Sequence, residues 1–343
     1  MDGNIIAENR IPVTIITGFL GAGKTTLLNN LIKKYSNKQF AIIENEFGSI
    51  GIDGGLIVGV DDNIFELNNG CICCSLNDDF YLTVKKLLDS KQKFNHLLLE
   101  TTGIANPDTI ITTIFTDKEF VTAFEIDSVI CVADAENMED IMELQPEIVK
   151  QLAVADIVLI NKIDAVHPNY IEQLKQKIGG INHSNLIYTV KHSDISNIDI
   201  LDTFAFSPEV IEKTTHKFLR LKTGTNQFPT QSFIQKPIKN KFKHDIVSIG
   251  IEMEGSLSYE KFSLWIQRFM SINDSLIFRI KGIISFDNMP EKFIFQAVRT
   301  TYLIDNNDEW ESERRFTKLI FIGKDIENMG IEESLKELLT TQN

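Results

Sequence analysis

The run Gly18-Phe19-Leu20-Gly21-Ala22-Gly23-Lys24-Thr25-Thr26 combines three glycines with a lysine and two hydroxyls, and residues of these types at this spacing can hold a polyphosphate. Lacking Cβ atoms, Gly18, Gly21 and Gly23 let the backbone wrap closely around anionic oxygens. Successive N–H groups, including that of Ala22, then point at those oxygens together with the helix start at Thr26. Lys24 supplies a point charge for the β and γ phosphates. Thr25 offers a hydroxyl to Mg²⁺, a hard ion that takes oxygen ligands.

Three further groups have matching chemistry. Asn161-Lys162-Ile163-Asp164 closes the apolar run Asp156-Ile157-Val158-Leu159-Ile160, where open α/β sheets place ligands. A carboxylate only accepts, so Asp164 can take both N1–H and the exocyclic amine of guanine; adenine has no such donor pair. His96-Leu97-Leu98-Leu99-Glu100-Thr101-Thr102-Gly103 reads as a buried strand ending in an acid. Glu100 is suited to hold Mg²⁺ directly or through water, and Gly103 to bring a backbone N–H to the γ-phosphate. Glu44-Asn45-Glu46-Phe47-Gly48, with Asp53 close behind, occupies the segment where nucleotide switches order around γ-phosphate and Mg²⁺. No glutamine stands at the usual place after Gly103, so slow intrinsic turnover is expected.

Cys71, Cys73 and Cys74 fall within four residues. Three thiols so close suit Zn²⁺ or another thiophilic ion such as Co²⁺, and on one short segment they leave an open coordination position, as a site that loads and unloads metal requires. A redox role and three buried apolar cysteines are the other readings. Cys131, within Ser128-Val129-Ile130-Cys131-Val132, is expected in the core.

These residues need a scaffold, and the pattern up to about residue 205 supplies one. Apolar runs near 13–17, 40–45, 63–67, 96–100, 127–134, 156–161 and 185–190 alternate with amphipathic segments. This predicts a mainly parallel sheet with helices on both faces. Phe80, Val84, Leu87 and Leu88 lie at helical spacing, and Asn106-Pro107 reads as a cap followed by a first-turn proline. Between 207 and 243 basic residues and two prolines interrupt the pattern, which predicts a linker. Beyond it Val247, Ile249, Ile251 and Met253 alternate with polar residues, a helix is expected from Tyr259 to Ile272, strands at 276–286, 291–304 and 314–322, and a terminal helix from Ile331 to Leu339. The expected domains are therefore 1–206, a linker 207–243, and a smaller α+β domain 244–343.

Composition sets outer limits. A hydrophobic share of 43% with 24% charged residues is ordinary for a folded globular chain. A net charge of 34 − 48 = −14 argues against nucleic acid or anionic lipid as a partner. No apolar run is long enough to span a bilayer, and the few cysteines do not form a disulfide framework, so a cytoplasmic protein is expected.

Together, the phosphate loop at 18–26, E-N-E-F-G and G-I-D at 44–53, G-C-I-C-C-S-L at 70–76, E-T-T-G-I-A-N-P at 100–107 and N-K-I-D at 161–164 resemble the CobW-like P-loop GTPases, relatives of nickel-insertion GTPases. The resemblance covers nearly all of residues 11–205. It extends more loosely to Arg279-Ile280-Lys281-Gly282-Ile283. It implies a GTPase that binds zinc through Cys71, Cys73 and Cys74 with GTP and Mg²⁺ in place and yields it to a client metalloprotein after hydrolysis. Cobalt delivery for cobalamin synthesis, or activation of an enzyme of the nitrile hydratase type, is the alternative. The chain departs from many zinc-handling members in having only His216 and His244 where they carry a histidine-rich stretch. It also lacks, in Met1 to Arg10, the client-docking tail of the eukaryotic zinc transferases.

Overall fold

The computed structural model describes residues 10–44, 64–67, 76–90, 93–103, 106–205, 210–211, 233–234, 245–310 and 314–340. The chain divides into two compact units, Met1–Gln176 with Asn185–Ala205, and Lys177–Ser184 with Phe206–Asn343.

The first unit is built on a parallel sheet of β1 (Ile11–Thr17), β2 (Phe40–Glu44), β3 (Ile64–Leu67), β4 (His96–Glu100), β5 (Phe124–Asp134), β6 (Ile157–Asn161) and β7 (Leu186–Thr189), in the order β3-β2-β4-β1-β5-β6-β7. The central strands are apolar and rich in branched residues because helices cover both faces, so neither face needs polar residues. Val13, Ile15, Ile42, Leu98, Val129 and Leu159 are all fully buried. Helix α1 (Lys24–Lys34) places Leu27, Leu28 and Leu31 against Ile16, Leu98, Ile130 and Val132 of the sheet. Helices α2 (Leu76–Leu88), α3 (Pro107–Thr116), α4 (Lys118–Ala123), α5 (Met138–Leu144), α6 (Pro146–Val154) and α7 (Pro168–Ile181) supply the crossovers. Phe80, Val84 and Leu87 of α2 are buried as their spacing predicts. Asn106 does sit at the N-cap of α3, but its side chain makes no capping bond; Pro107 at the first position supplies the start.

At the N-terminal edge of this sheet a buried polar chain replaces apolar packing. Thr14 Oγ1 donates to Asp127 Oδ2 at 2.9 Å, and His96 Nε2 lies 2.8 Å from the same hydroxyl. Since the hydroxyl proton goes to Asp127, the neutral imidazole donates from Nε2. Asp127 also accepts from the backbone N–H of Phe204 at 2.7 Å and of Asp202 at 3.1 Å. Asp202 and Phe204 both take positive φ, which curls their N–H groups around the carboxylate.

The second unit carries an antiparallel sheet of β8 (Phe233–Ile234), β9 (Ile246–Glu254), β10 (Ile277–Ser285), β11 (Glu291–Val298), β12 (Thr301–Glu309) and β13 (Phe316–Lys324), ordered β12-β11-β10-β13-β9-β8. The helix Tyr259–Ile272 starts on Ser258, whose hydroxyl accepts from the Lys261 N–H, and buries Phe262, Ile266 and Phe269 against this sheet. Three expectations change. The 291–304 run is two strands, joined by a turn in which Arg299 takes φ 55° without being glycine. Phe233–Ile234, inside the stretch expected to be a linker, pairs with β9. The terminal helix stops at Lys336 rather than Leu339. No described helix is long and apolar enough to cross a membrane.

Candidate functional site

Sheet register brings the chemistry to one edge. Cα partners Ile16 and Glu100, Glu44 and Glu100, and Asp134 and Asn161 stand at the C-terminal ends of their strands, so the loops that follow open on the same side. The phosphate loop follows β1, and its glycines meet geometric demands that other residues would not. Gly18 has φ 135°, and a Cβ there would fall 2.3 Å from the Val132 carbonyl oxygen. Gly23 has φ 106°, and a Cβ there would fall 2.5 Å from Asn161 Nδ2. The loop feeds α1, whose N-terminus has neither a side-chain cap nor an acidic residue in its first turn. The start of the helix therefore faces the loop, an arrangement suited to an anion.

Lys24 is nearly buried, and its ammonium contacts the Phe19 carbonyl at 3.4 Å, folding back over the loop. Thr25 Oγ1 stands 3.3 Å from Glu100 Oε1 and 3.4 Å from Oε2. One hydroxyl and one carboxylate thus face each other across β1 and β4, and a small hard cation that keeps several waters fits this donor set. Thr26 lies in the first turn of α1. Beyond Glu100, the Thr101 N–H donates to the Ile16 carbonyl at 2.9 Å, which carries the chain toward the phosphate loop. Gly103 then lies so close to that loop that a Cβ would come within 2.4 Å of Leu20 N.

The expected base-reading loop separates into two roles. Asn161 is buried, and its Nδ2 donates to the Ala22 carbonyl at 2.9 Å and to Ser193 Oγ at 3.0 Å, while its Oδ1 accepts from the Ser193 N–H at 2.8 Å. Ser193 Oγ in turn donates to the Gly23 carbonyl at 3.0 Å. Asn161 therefore braces the phosphate loop. Lys162 adopts φ 60° and places its ammonium 2.8 Å from Asp134 Oδ2. Burial pushes the Asp134 carboxyl up, but hydrogen bonds from Lys162, Asn137 and the Glu136 N–H outweigh it and leave the pKa below the usual carboxylate range. Asp164, in the short helical turn Ile163–Ala165, is exposed, so its oxygens face solvent.

Ser193 and Asp134 were not singled out from the sequence. Ser193 sits 32 positions from Asn161 in a loop with no glycine signal, and only its positive φ of 51°, beside His192 at 50°, shows the tight turn. Cys131 is fully buried, and burial pushes its thiol up to about 12 against the opposing pull of Lys24, so it remains a protonated core residue. Glu44 ends β2 opposite Glu100. Glu46, Gly48, Asp53, Cys71, Cys73 and Cys74 lie outside the described residues. Gly21 takes φ 74° in open space.

With this geometry in place, comparison with known proteins gives a consistent result. Residues 12–189 match the CobW/HypB/UreG nucleotide-binding domain, and residues 246–339 match the cobalamin synthesis protein cobW C-terminal domain. A zinc chaperone, YjiA of Escherichia coli, is 31% identical over 319 residues, covering 92% of this chain and 94% of its own. The zinc-regulated GTPase metalloprotein activator 1 of Saccharomyces cerevisiae is 30% identical, covering 97% of this chain and 84% of its own. The crystal structure of Zn(II)-bound YjiA GTPase from E. coli superposes with a TM-score of 0.70 at 27% identity, covering 97% of this chain and all of that one.

Proposed function

We propose the following function for a chain that, by its matches over residues 12–189 and 246–339, belongs to the CobW/HypB/UreG family of GTPases: it is a GTP-dependent zinc metallochaperone. The observation that carries the nucleotide half is the single constellation of phosphate loop, Thr25–Glu100 pair and Asn161 brace at one sheet edge. In this reading the β and γ phosphates lie against Gly21, Ala22, Gly23, Lys24 and Thr26. Thr25 and Glu100 are the residues that would hold Mg²⁺, and the ion would supply positive charge beside the phosphates. Asp164 accepts from guanine, and the Gly103 N–H meets the third phosphate.

Zinc is the cargo. The names of the relatives support zinc as the metal, and Cys71, Cys73 and Cys74 are the thiols chemically suited to it. Glu44, Glu46, Gly48 and Asp53 are assigned the switch role, reordering when the third phosphate leaves. Loss of that phosphate then lowers the affinity for zinc, and a client metalloprotein with the stronger open site takes it. Cobalt in place of zinc is the second reading, since thiolates accept both ions.

The test is transfer. Protein loaded with one equivalent of zinc and GTP is mixed with an apo acceptor, and metal movement is followed alongside phosphate release. The proposal expects transfer to follow hydrolysis and to stop in Lys24→Ala. Equal transfer by wild type and Lys24→Ala would show that the nucleotide does not drive delivery.

A further inference from the structure

The glutamine at position 151 is fully buried in α6, a helix whose inward face is otherwise Ile148, Val149, Leu152 and Val154. A carboxamide in such a place loses its water and needs protein partners. Its Nε2 reaches the Gly103 carbonyl at 3.3 Å, 48 residues earlier in the chain. Gly103 is held on its other side by the phosphate loop, where only a glycine fits against Leu20 N. The peptide that follows the Glu100 strand is therefore clamped between the phosphate loop and α6.

That clamp has a rigid anchor. The Ala155 N–H closes α6 on the Gln151 carbonyl at 3.0 Å, and Asp156 fixes the next turn by accepting the Val129 N–H at 3.0 Å. From there β6 runs directly to Asn161, the brace of the phosphate loop. Gln151 thus connects the peptide facing the third phosphate to the element that carries the base-reading loop.

We infer that Gln151 is a positioning residue for triphosphate recognition: by holding the Gly103 carbonyl it fixes where the Gly103 N–H points, and so sets the preference for GTP over GDP. The inference rests on the assignment of Gly103 to the third phosphate. A diphosphate ends inside the phosphate loop and does not reach Gly103, so a loss at Gln151 changes triphosphate affinity and turnover alone.

The experiment uses the full chain with Gln151→Leu, which nearly keeps the volume and removes the donor, and Gln151→Met, which keeps the length of the side chain and also lacks a donor. If one variant does not fold, the other decides. Affinities for a non-hydrolysable GTP analogue and for GDP are measured with Mg²⁺, together with kcat and KM for GTP. The expected result is a loss of about tenfold in the analogue-to-GDP affinity ratio and a fall in kcat, with GDP affinity unchanged. An unchanged ratio, or equal weakening of both nucleotides, overturns the inference and leaves Gln151 as a packing residue. Wild type is the control: if it binds the analogue and GDP equally, the assignment of Gly103 to the third phosphate fails, whereas a wild-type preference for the analogue that neither Gln151 variant changes removes only the clamp.

Discussion

Thr25 Oγ1 faces both carboxylate oxygens of Glu100 at 3.3 and 3.4 Å, although 75 residues separate them in the chain. The pairing exists because β4 lies parallel beside β1 with Ile16 opposite Glu100, so the first turn of α1 and the end of β4 meet. If the pair serves Mg²⁺, Glu100→Gln removes a negative oxygen without changing shape. The expected outcome is a requirement for about 10- to 100-fold more Mg²⁺ at half-maximal GTP turnover. A Mg²⁺ titration that superimposes on wild type would place the metal elsewhere.

Asp164 and Asn161 lie three residues apart and are predicted to fail differently. Asp164 is exposed, so Asp164→Asn should leave thermal stability unchanged while exchanging guanine for xanthine preference, because an amide offers one acceptor and one donor in place of two acceptors. Asn161→Ala removes three buried hydrogen bonds to Ala22 and Ser193, and should lower stability by about 1–3 kcal/mol as well as weakening every nucleotide. Melting curves and affinities for GTP and xanthosine triphosphate separate the two. Retained guanine preference in Asp164→Asn would show the base is read by another group.

The buried His96 gives the first unit a predicted acid sensitivity. Burial, reinforced by Lys38, lowers its pKa from 6.5 to about 4, partly opposed by Asp202. The folded state therefore prefers the neutral ring, whereas the unfolded chain binds a proton from about pH 6.5 downward. Stability from this group is complete above 6.5 and is lost as pH falls toward 4, by up to about 3 kcal/mol. Asp127, which burial raises, works in the opposite sense because its protonation removes a buried charge. His96→Gln retains a donor for Thr14 and should flatten the slope of urea-unfolding stability between pH 4 and 6.5. An unchanged slope would assign acid sensitivity to other groups.

The sequence made the parallel-sheet unit legible because its strands are buried on both faces and punctuated by motif loops: Val13 to Thr17, Leu97 to Glu100 and Ile157 to Asn161 all occupy the positions their patterns predict. The phosphate-loop glycines were legible because only Gly tolerates the backbone at 18 and 23. Ser193, Asp134 and Gln151 were not, since each acts through a contact at long sequence separation and none breaks a local pattern. The turn at Arg299 was hidden for a related reason: an arginine in left-handed conformation carries no turn signal, so two strands read as one.

In the proposed function, nucleotide state sets zinc affinity. Cys71, Cys73 and Cys74 fall in sequence between the assigned switch residues 44–53 and the Glu100 strand, and the proposed function couples them to the third phosphate. The most direct measurement is a four-corner titration of zinc with GTP-analogue and GDP forms, on wild type and Cys73→Ser. Zinc is expected to bind more tightly with the triphosphate and to tighten the triphosphate over GDP by the same factor, on the order of 1–3 kcal/mol, and Cys73→Ser is expected to reduce both together. Equal zinc affinity in the two nucleotide forms would contradict it, because hydrolysis would then have no means of releasing the metal.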